Sequence, residues 1–528
     1  MQNVFYSLRE LDKRAEEDFN LKNGILMENA ARGSAEKIKK LFPLKKGEAK
    51  KTLQIVCGSG DNGGDGLALA RILADDFNIH VIILKEPKSE LCKLQYERLK
   101  ALNIRTAKNI LPESDILFDA FLGTGLKGFL KAEDKKTIEK INKVKAFKIA
   151  CDIPSGLNID GEASPNAVIC NTTFSMGALK QAFYSDEAKD ITGKIEVIDL
   201  GLPRSSYEQN EKSNVFLLEK EDMLLPSRKK QNTHKGSFGH AGIIMGEKNG
   251  AALLAASAAL EFGAGLVTLI GENRERPKNL KADFMYDGKF EAGKFNAKKF
   301  TSLAIGQGLG RKNDELFSIL KMKETQSMPM VIDADIFYYD ELKKILPELS
   351  SAVLTPHPKE FSSLLNIAGL GNLSIEEIQK KRFISVLSFS KKFPKLVLVL
   401  KGANTLIAHN GKIFINTLGS SSLSKAGSGD VLTGLICSLL ALGYKPLDAA
   451  ITGSLAHSLA SQNAGASYSL TASKLIKNLE KLEKLENLGY FAEIEYVLEY
   501  LGINVSNEKY EKLKNGMTVL TSHKKFEN

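Results

Sequence analysis

Leu53-Gln54-Ile55-Val56-Cys57-Gly58-Ser59-Gly60-Asp61-Asn62-Gly63-Gly64-Asp65-Gly66 decides the fold of the first part of this chain. An apolar, strand-like run ends at Cys57, a glycine–aspartate loop follows, and a helix-like run spans about residues 67–74. Strand, glycine-rich turn and helix, in that order, open a βαβ series. A glycine-rich turn at the start of a helix aims backbone N–H groups at an anion. A second such loop, Ala426-Gly427-Ser428-Gly429-Asp430, precedes another apolar helix-like run. Two loops of this kind suggest two sites for phosphate-bearing ligands, and so two linked activities.

Outward from the first loop the alternation continues. Residues 79–84 form a β-branched run suited to a buried parallel strand, and 89–102 read as a helix. Further strands are expected at 115–119 and 147–152, each ending in a carboxylate, and at 195–198. The natural fold for such a series is a right-handed doubly wound sheet. Composition changes between Pro203 and His234, with a polar stretch at 205–213 and a basic one at 226–235. A second series follows, with strands expected at 242–245, 266–270, 303–306, 331–333, 352–354 and 396–400. Helices are expected at 251–262, 430–442 and 447–461. The expected organisation is a first domain over 1–207, a linker and the start of the second domain over 208–233, and a second domain over 234–485. The remaining 486–528 is a lysine- and glutamate-rich extension, with a short helix at about 491–500.

Bulk properties fit this division. A chain of 528 residues is too long for one ordinary core. Its 43% hydrophobic and 26% charged residues are those of a soluble globular protein. There is no run of about 18 apolar residues, so no membrane partner is expected. Residues 1–10 lack the apolar centre of a signal peptide. The five cysteines have no metal-like spacing and read as reduced thiols of a cytoplasmic protein. The net charge of +10 comes from scattered lysines without aromatic interleaving, which fits a solvated surface rather than a nucleic-acid interface.

Three segments of the first series share one carboxyl edge: 61–66, 119–128 and 152–157. Ligands of doubly wound sheets bind at that edge. Asp152 follows a buried strand, where partial desolvation is expected to raise its pKa toward a value useful for proton transfer. In the second series Gly427-Ser428-Gly429-Asp430 opens a helix whose amides and dipole would stabilise a transferring phosphoryl group. Asp430 could take a proton from a substrate hydroxyl. Lys401-Gly402-Ala403-Asn404-Thr405 follows a strand and could grip a nucleotide phosphate. Gly306 to Gly310 and Thr355 to Glu360 follow two more strands, and within this set His357 reads as a ligand contact. Asp333-Ala334-Asp335 is either a strand-end cap or a substrate-side acid.

Asn62-Gly63-Gly64-Asp65-Gly66, Leu122-Gly123-Thr124-Gly125 and Asp152-Ile153-Pro154-Ser155-Gly156-Leu157 make the first 205 or so residues resemble NAD(P)HX epimerases. Leu26-Met27-Glu28-Asn29-Ala30-Ala31-Arg32, Thr172-Thr173-Phe174 and Asp199-Leu200-Gly201-Leu202-Pro203 agree with that family. The resemblance implies a Rossmann-like three-layer sandwich with a bound potassium ion at Asn62, Asp119 and Ser155. It implies contacts to hydrated NADH or NADPH from Asp61, Asn62, Gly63, Gly64, Asp65, Gly123, Thr124, Gly125, Leu126, Lys127, Gly128, Phe129 and Asp152, with Asp152 the acid/base group. Asp61 stands where the family usually has asparagine.

Residues 215–485 resemble the ribokinase-like ADP-dependent NAD(P)HX dehydratases. The resemblance is carried by His234-Lys235-Gly236-Ser237-Phe238-Gly239-His240, Gly263-Ala264-Gly265-Leu266-Val267 and Lys401-Gly402, together with the 306–310, 333–335, 354–360 and 427–430 segments. It implies a second three-layer sandwich. Lys401, Gly402, Ala403, Asn404, Thr405 and Gly429 would bind the adenine nucleotide; Ala251, Gly308, His357 and Asp430 would touch NAD(P)HX. Magnesium would accompany ADP, and the residues leave ADP and ATP both open. Gln307 replaces a usual proline, Lys359 a usual glycine, and Met245-Gly246-Glu247 a usual glycine-glycine-serine. Together the two resemblances imply a cytoplasmic, homo-oligomeric, bifunctional isomerase and lyase that repairs hydrated NAD(P)H. The alternative is a ribokinase-like small-molecule kinase with a non-catalytic first half.

Overall fold

The computed structural model describes residues 1–483, apart from 45–46, 126–129, 164–165, 210, 272–274, 279, 289–294, 311–313 and 466–467. The expected contacts Leu126, Lys127, Gly128 and Phe129, and the extension over 486–528 with its helix, lie outside the described residues.

Seven parallel strands build the sheet of the first half. Their spatial order is Thr106–Ala107, Asn78–Ile83, Thr52–Cys57, Glu113–Ala120, Lys145–Cys151, Thr172–Met176 and Lys194–Ile198. In order of appearance this reads 3-2-1-4-5-6-7. The winding reverses between Thr52–Cys57 and Glu113–Ala120, which leaves a crevice beyond their carboxyl ends. Side chains alternate between two cores. Leu53, Ile55 and Cys57 pack with the helices Asn23–Leu41 and Asp61–Ile72, while Val56 packs with Ile138 and Ile141 of the helix Ala132–Lys143. Burial on both faces is why these strands read as unbroken apolar runs.

The helix after the first glycine loop starts at Asp61, not near residue 67. Gly63, Gly64 and Gly66 are therefore helical residues rather than parts of a turn. A methyl group on Gly63 would stand 2.1 Å from the Gly58 carbonyl oxygen, and one on Gly66 would stand 2.7 Å from the Ala120 side chain. These glycines let the helix lie against the sheet, a different reason for glycine from close approach to a phosphate.

The second half repeats the winding. Met285–Asp287, Leu266–Ile270, His240–Ile244, Ser302–Ile305, Met330–Ile332, Ala352–Leu354 and Val397–Leu400 are parallel neighbours, again 3-2-1-4-5-6-7 by appearance. One face packs against the helices Asn249–Glu261, Ser428–Ala441 and Pro446–Gln462, and the other carries Phe317, Phe361 and Phe389. An antiparallel hairpin, Thr405–His409 and Lys412–Asn416, extends the far edge.

That edge does not end the sheet. Val215–Leu217, inside the stretch expected to hold the linker and the start of the second domain, pairs with Lys412–Asn416. Gln2–Phe5 pairs with Val215–Leu217, and Leu179–Lys180 with Gln2–Phe5, giving a sheet of twelve strands. Two segments of the first half thus complete the sheet of the second. The apolar core follows: Leu179, Phe183 and Tyr184 belong to one cluster with Leu398, Leu400 and Phe361. Burying each large apolar side chain contributes roughly 1.5–3 kcal/mol, so the halves are joined by core as well as by chain. All five cysteines are buried free thiols. No described helix is long and apolar enough to cross a membrane.

Candidate functional site

The crevice at the reversal point of the first sheet has a volume of about 880 Å³. Asp61, Asn62, Asp65, Gly123, Thr124, Gly125 and Asp152 line it, so the structure brings together the loops singled out from sequence. Asp152 leaves the strand Lys145–Cys151 with φ of 66°. A non-glycine residue in that left-handed region carries backbone strain, which concentrates at functional positions. Its carboxylate accepts hydrogen bonds from Lys180 Nζ at 2.6 Å and from the Met176 amide at 3.2 Å. Lys180 is only 5% exposed and also donates to Ser175 Oγ.

Asp12 and Lys180 also line the crevice, and neither was legible in the sequence. Tyr207 donates to Asp12 at 2.6 Å. Burial pushes the Asp65 carboxyl well above the usual carboxylate range, helped by the charges of Asp152, Asp61 and Asp12. Burial raises Asp12 as well. Asp61, an amide in the related family, is exposed at the helix start and adds one of the charges that hold Asp65 up.

Asn62, Asp119 and Ser155 meet beside this crevice. Asp119 accepts from Ser155 Oγ at 2.6 Å, from the Ser155 amide at 2.8 Å and from the Phe121 amide at 3.3 Å. Asn62 Nδ2 donates to the Leu122 carbonyl, yet Asn62 Oδ1 is buried without a partner. Burial lifts the Asp119 carboxyl to about 6, against the pull of its three hydrogen bonds. An orphaned amide oxygen beside one carboxylate, a hydroxyl and a carbonyl is an all-oxygen donor set of low charge, which fits a monovalent cation.

In the second half Gly427 caps the helix Ser428–Ala441 with φ of 88°, and a methyl group there would stand 2.7 Å from Leu254. Both facts require glycine at this position. The first-turn amides that follow have no helical acceptor. Gly429 lies against Lys401 Nζ and Asp333. Lys401 donates to Asp333 Oδ1 at 2.9 Å, and Thr433 Oγ1 donates to Asp333 Oδ2 at 2.8 Å. Asp333 is thus the buried anchor of Lys401, while Asp335 accepts the Gly310 amide and holds the glycine loop. Burial lowers the pKa of Lys401, but Asp333, Glu360 and Asp430 outweigh it and hold the ammonium above the usual lysine range. Asp430 is raised to about 6, first by burial and then by the charge of Asp333, with Lys401 pulling the other way.

Gly308, with φ of 63°, packs against Ala251 and Lys248. His357 caps the helix Pro358–Ile367, bonded to Glu360, and Glu360 in turn lies 3.7 Å from Lys401. Within 401–405, Asn404 turns away from this cluster, and its Nδ2 donates to the carbonyls of Tyr184 and Ser185 in the first half. Lys359 is exposed, whereas Gln307 is fully buried with neither amide atom partnered. Among the described residues no group of three or more His, Cys, Asp or Glu side chains converges to hold a metal ion.

Residues 23–182 match the family model described as YjeF-related protein N-terminus, and 241–481 match that described as NAD(P)H-hydrate dehydratase. The chain is 42% identical to the bifunctional NAD(P)H-hydrate repair enzyme Nnr of Helicobacter pylori, over 91% of this chain and 100% of that one. It is 33% identical to the enzyme of the same name from Coxiella burnetii, over 81% of this chain and 90% of that one. For the Escherichia coli protein of that name, the identity is 32% over 81% of this chain and 84% of the other. Among solved structures, an ADP/ATP-dependent NAD(P)H-hydrate dehydratase from Bacillus subtilis co-crystallized with ATP/Mg2+ is 25% identical. It covers 51% of this chain and 98% of its own, with a TM-score of 0.43.

Proposed function

The chain belongs to the bifunctional NAD(P)H-hydrate repair enzymes, and we propose that its two sites divide the two reactions between them. The first interconverts the R and S forms of NADHX or NADPHX. The second dehydrates the S form at the expense of ADP. The observation that carries the second assignment is Asp430 beside Gly429, Lys401 and Asp333 at one helix start.

In the first crevice, inversion at C6 needs acid/base help near that carbon or reversible opening of the ring. Asp152, ion-paired with Lys180, serves as the accepting group. Asp65, held up mainly by burial, keeps a proton to donate. A carboxyl that burial keeps protonated beside one ion-paired with a lysine suits opposite proton roles.

Potassium would sit at Asn62, Asp119 and Ser155, where it supplies charge and order rather than strong polarisation. Asn62 Oδ1 would gain its missing partner, and the Asp119 carboxylate its counter-charge. The folded-state pKa of Asp119 is raised, so its contribution to stability is present at low pH and is lost as pH rises toward about 6. At neutral pH the ionised, buried carboxylate costs on the order of 3 kcal/mol, which a bound cation would offset. The thermal midpoint should therefore rise with added potassium chloride at pH 7.5 more than at pH 5, relative to a choline chloride control. In Asp119→Asn the potassium increment should vanish at both values.

In the second site Asp430 takes the proton of the C6 hydroxyl, whose oxygen bonds to the terminal phosphorus of ADP while AMP leaves. Phosphate then departs with the C6–O electron pair as the C5 proton passes to solvent, and the conjugated ring is restored. Lys401 and the first-turn amides of the helix Ser428–Ala441 stabilise charge on the transferring group. Magnesium brought with the nucleotide would offset the charge of its phosphates, because among the described residues no acidic cluster is built to hold the ion by itself.

Mixed-epimer NADHX supplied with ADP should return to full NADH absorbance. Recovery that stops at the S fraction would show a dead first site, and a stable phosphorylated product would favour the kinase reading.

A further inference from the structure

We propose that residues 180–189 of the first half are a working part of the second half's nucleotide site, with Lys189 and Asp186 positioning the 401–405 loop. The proposal rests on the reading that this loop holds the adenine nucleotide. Lys189 Nζ donates to the carbonyl of Ala403 and reaches those of Thr417 at 3.1 Å and Gly419 at 3.0 Å. Three carbonyl oxygens from two separate segments of the second half thus converge on one ammonium of the first. Without it their dipoles would face one another unscreened.

Asp186 holds the same loop from the other side. Its carboxylate accepts from the Asn404 amide at 3.1 Å and is paired with Arg382, which is 2% exposed. Arg382 in turn donates to the Asn404 carbonyl at 2.9 Å. A methyl group on Gly402 would collide with that guanidinium at 2.4 Å. The backbone of 402–404 is therefore clamped between Asp186, Arg382 and Lys189. Lys401, one residue earlier, points the opposite way into the Asp333–Asp430 cluster. A shift of the clamped carbonyls would move Lys401 relative to the Gly429 amide.

The clamp also has a short path to the other active site. Lys180, the partner of Asp152, lies nine residues before Lys189, and the 3-10 turns Gln181–Tyr184 and Ala188–Asp190 lie between or at these contacts. One segment thus touches the acid/base carboxylate of the first reaction and the phosphate loop of the second. Neither Lys189 nor Asp186 faces the first crevice. Their removal should leave that reaction alone.

The test uses the full chain. Lys189→Met keeps the aliphatic stem and removes the cation. It should raise the KM for ADP in dehydration of S-NADHX about tenfold, with kcat within about twofold, as expected for losing charge-assisted hydrogen bonds that position a binding loop. R/S interconversion measured on the same sample should be unchanged, which also shows that the variant is folded. Lys189→Arg, which keeps the cation, should restore KM to within about threefold. Asp186→Asn provides an independent second variant with the same expected direction. A KM for ADP unmoved in both Lys189→Met and Asp186→Asn overturns the clamp, whether or not the thermal midpoint falls. Lys401→Ala separates the two readings. If it alone raises the KM for ADP, the loop binds nucleotide without the clamp; if it too leaves KM unmoved, the loop is not the nucleotide site.

Discussion

Asp430→Asn is expected to lower ADP-dependent dehydration about a thousandfold, within the range for loss of a general base, while leaving R/S interconversion at its original rate. The measurement is the growth of NADH absorbance from S-NADHX with saturating ADP. Asparagine matches the size of the carboxylate and still accepts hydrogen bonds, so the helix start and the Lys401–Asp333 pair should persist. Stability gives a control. The folded protein holds the Asp430 pKa up, at about 6, which means that the ionised form is disfavoured there. Removing that charge at pH 7.5 should leave the thermal midpoint equal or higher. A fall in activity together with a fall in stability would point to a structural role instead.

The same residue sets a pH profile. A base must be ionised to accept a proton, and burial holds Asp430 protonated below about 6. The dehydration rate should be flat above that value and fall about tenfold per pH unit below it. The variant's residual rate should lack this limb. A wild-type profile flat down to pH 5 would remove Asp430 from the proton-transfer role.

Asp152→Asn is expected to slow R/S interconversion by about 10²–10³-fold, with dehydration of the purified S form unchanged. Mixed-epimer NADHX would then give back only its S fraction. Asparagine is the substitution of choice because φ at this position is 66°, a region that asparagine tolerates better than alanine. The change has a second effect. It leaves Lys180, which is 5% exposed, without its counter-charge. Breaking one side of a buried pair typically costs about 3–5 kcal/mol. The double variant Asp152→Asn, Lys180→Met removes both charges and should regain most of that stability without regaining interconversion. Recovery of interconversion in the double variant would assign Asp152 a role in folding rather than in chemistry.

Much of the first site was legible because glycine and aspartate fall at the ends of apolar runs. Asp119 is the penultimate residue of its strand and Asp152 follows its own, and that placement at the ends of strands buried on both faces puts them at one sheet edge. Lys180 and Asp12 gave no such signal. Lys180 belongs to a two-residue strand, and Asp12 lies on the helix Arg9–Phe19, which lines the crevice. In the second site the glycine helix start and Lys401 were visible. The two roles open for Asp333 were not separable until Lys401 and Thr433 were seen on its two oxygens. Asn404 was read as a nucleotide contact from its neighbours, yet its side chain is spent on the carbonyls of Tyr184 and Ser185.

The helix after the first loop was placed about six residues too late, because five glycines within residues 57–66 suggest a turn. The helical packing of Gly66 depends on Ala120, far along the chain on a neighbouring strand. The stretch 208–233 reads by composition as a linker and the start of the second domain. It contains the strand Val215–Leu217, which carries Gln2–Phe5 onto the far sheet.

Local patterns therefore determined the two windings, the sheet edges at which ligands would lie, and the carboxylates that end buried strands. These follow from side-chain burial and backbone freedom within a few residues. The joining of the halves into one twelve-stranded sheet, the lysine beside Asp152 and the clamp on the 401–405 loop were decided only in three dimensions. They depend on partners between 28 and 230 residues apart, brought together by backbone pairing and charge neutralisation that leave no periodic mark on the chain.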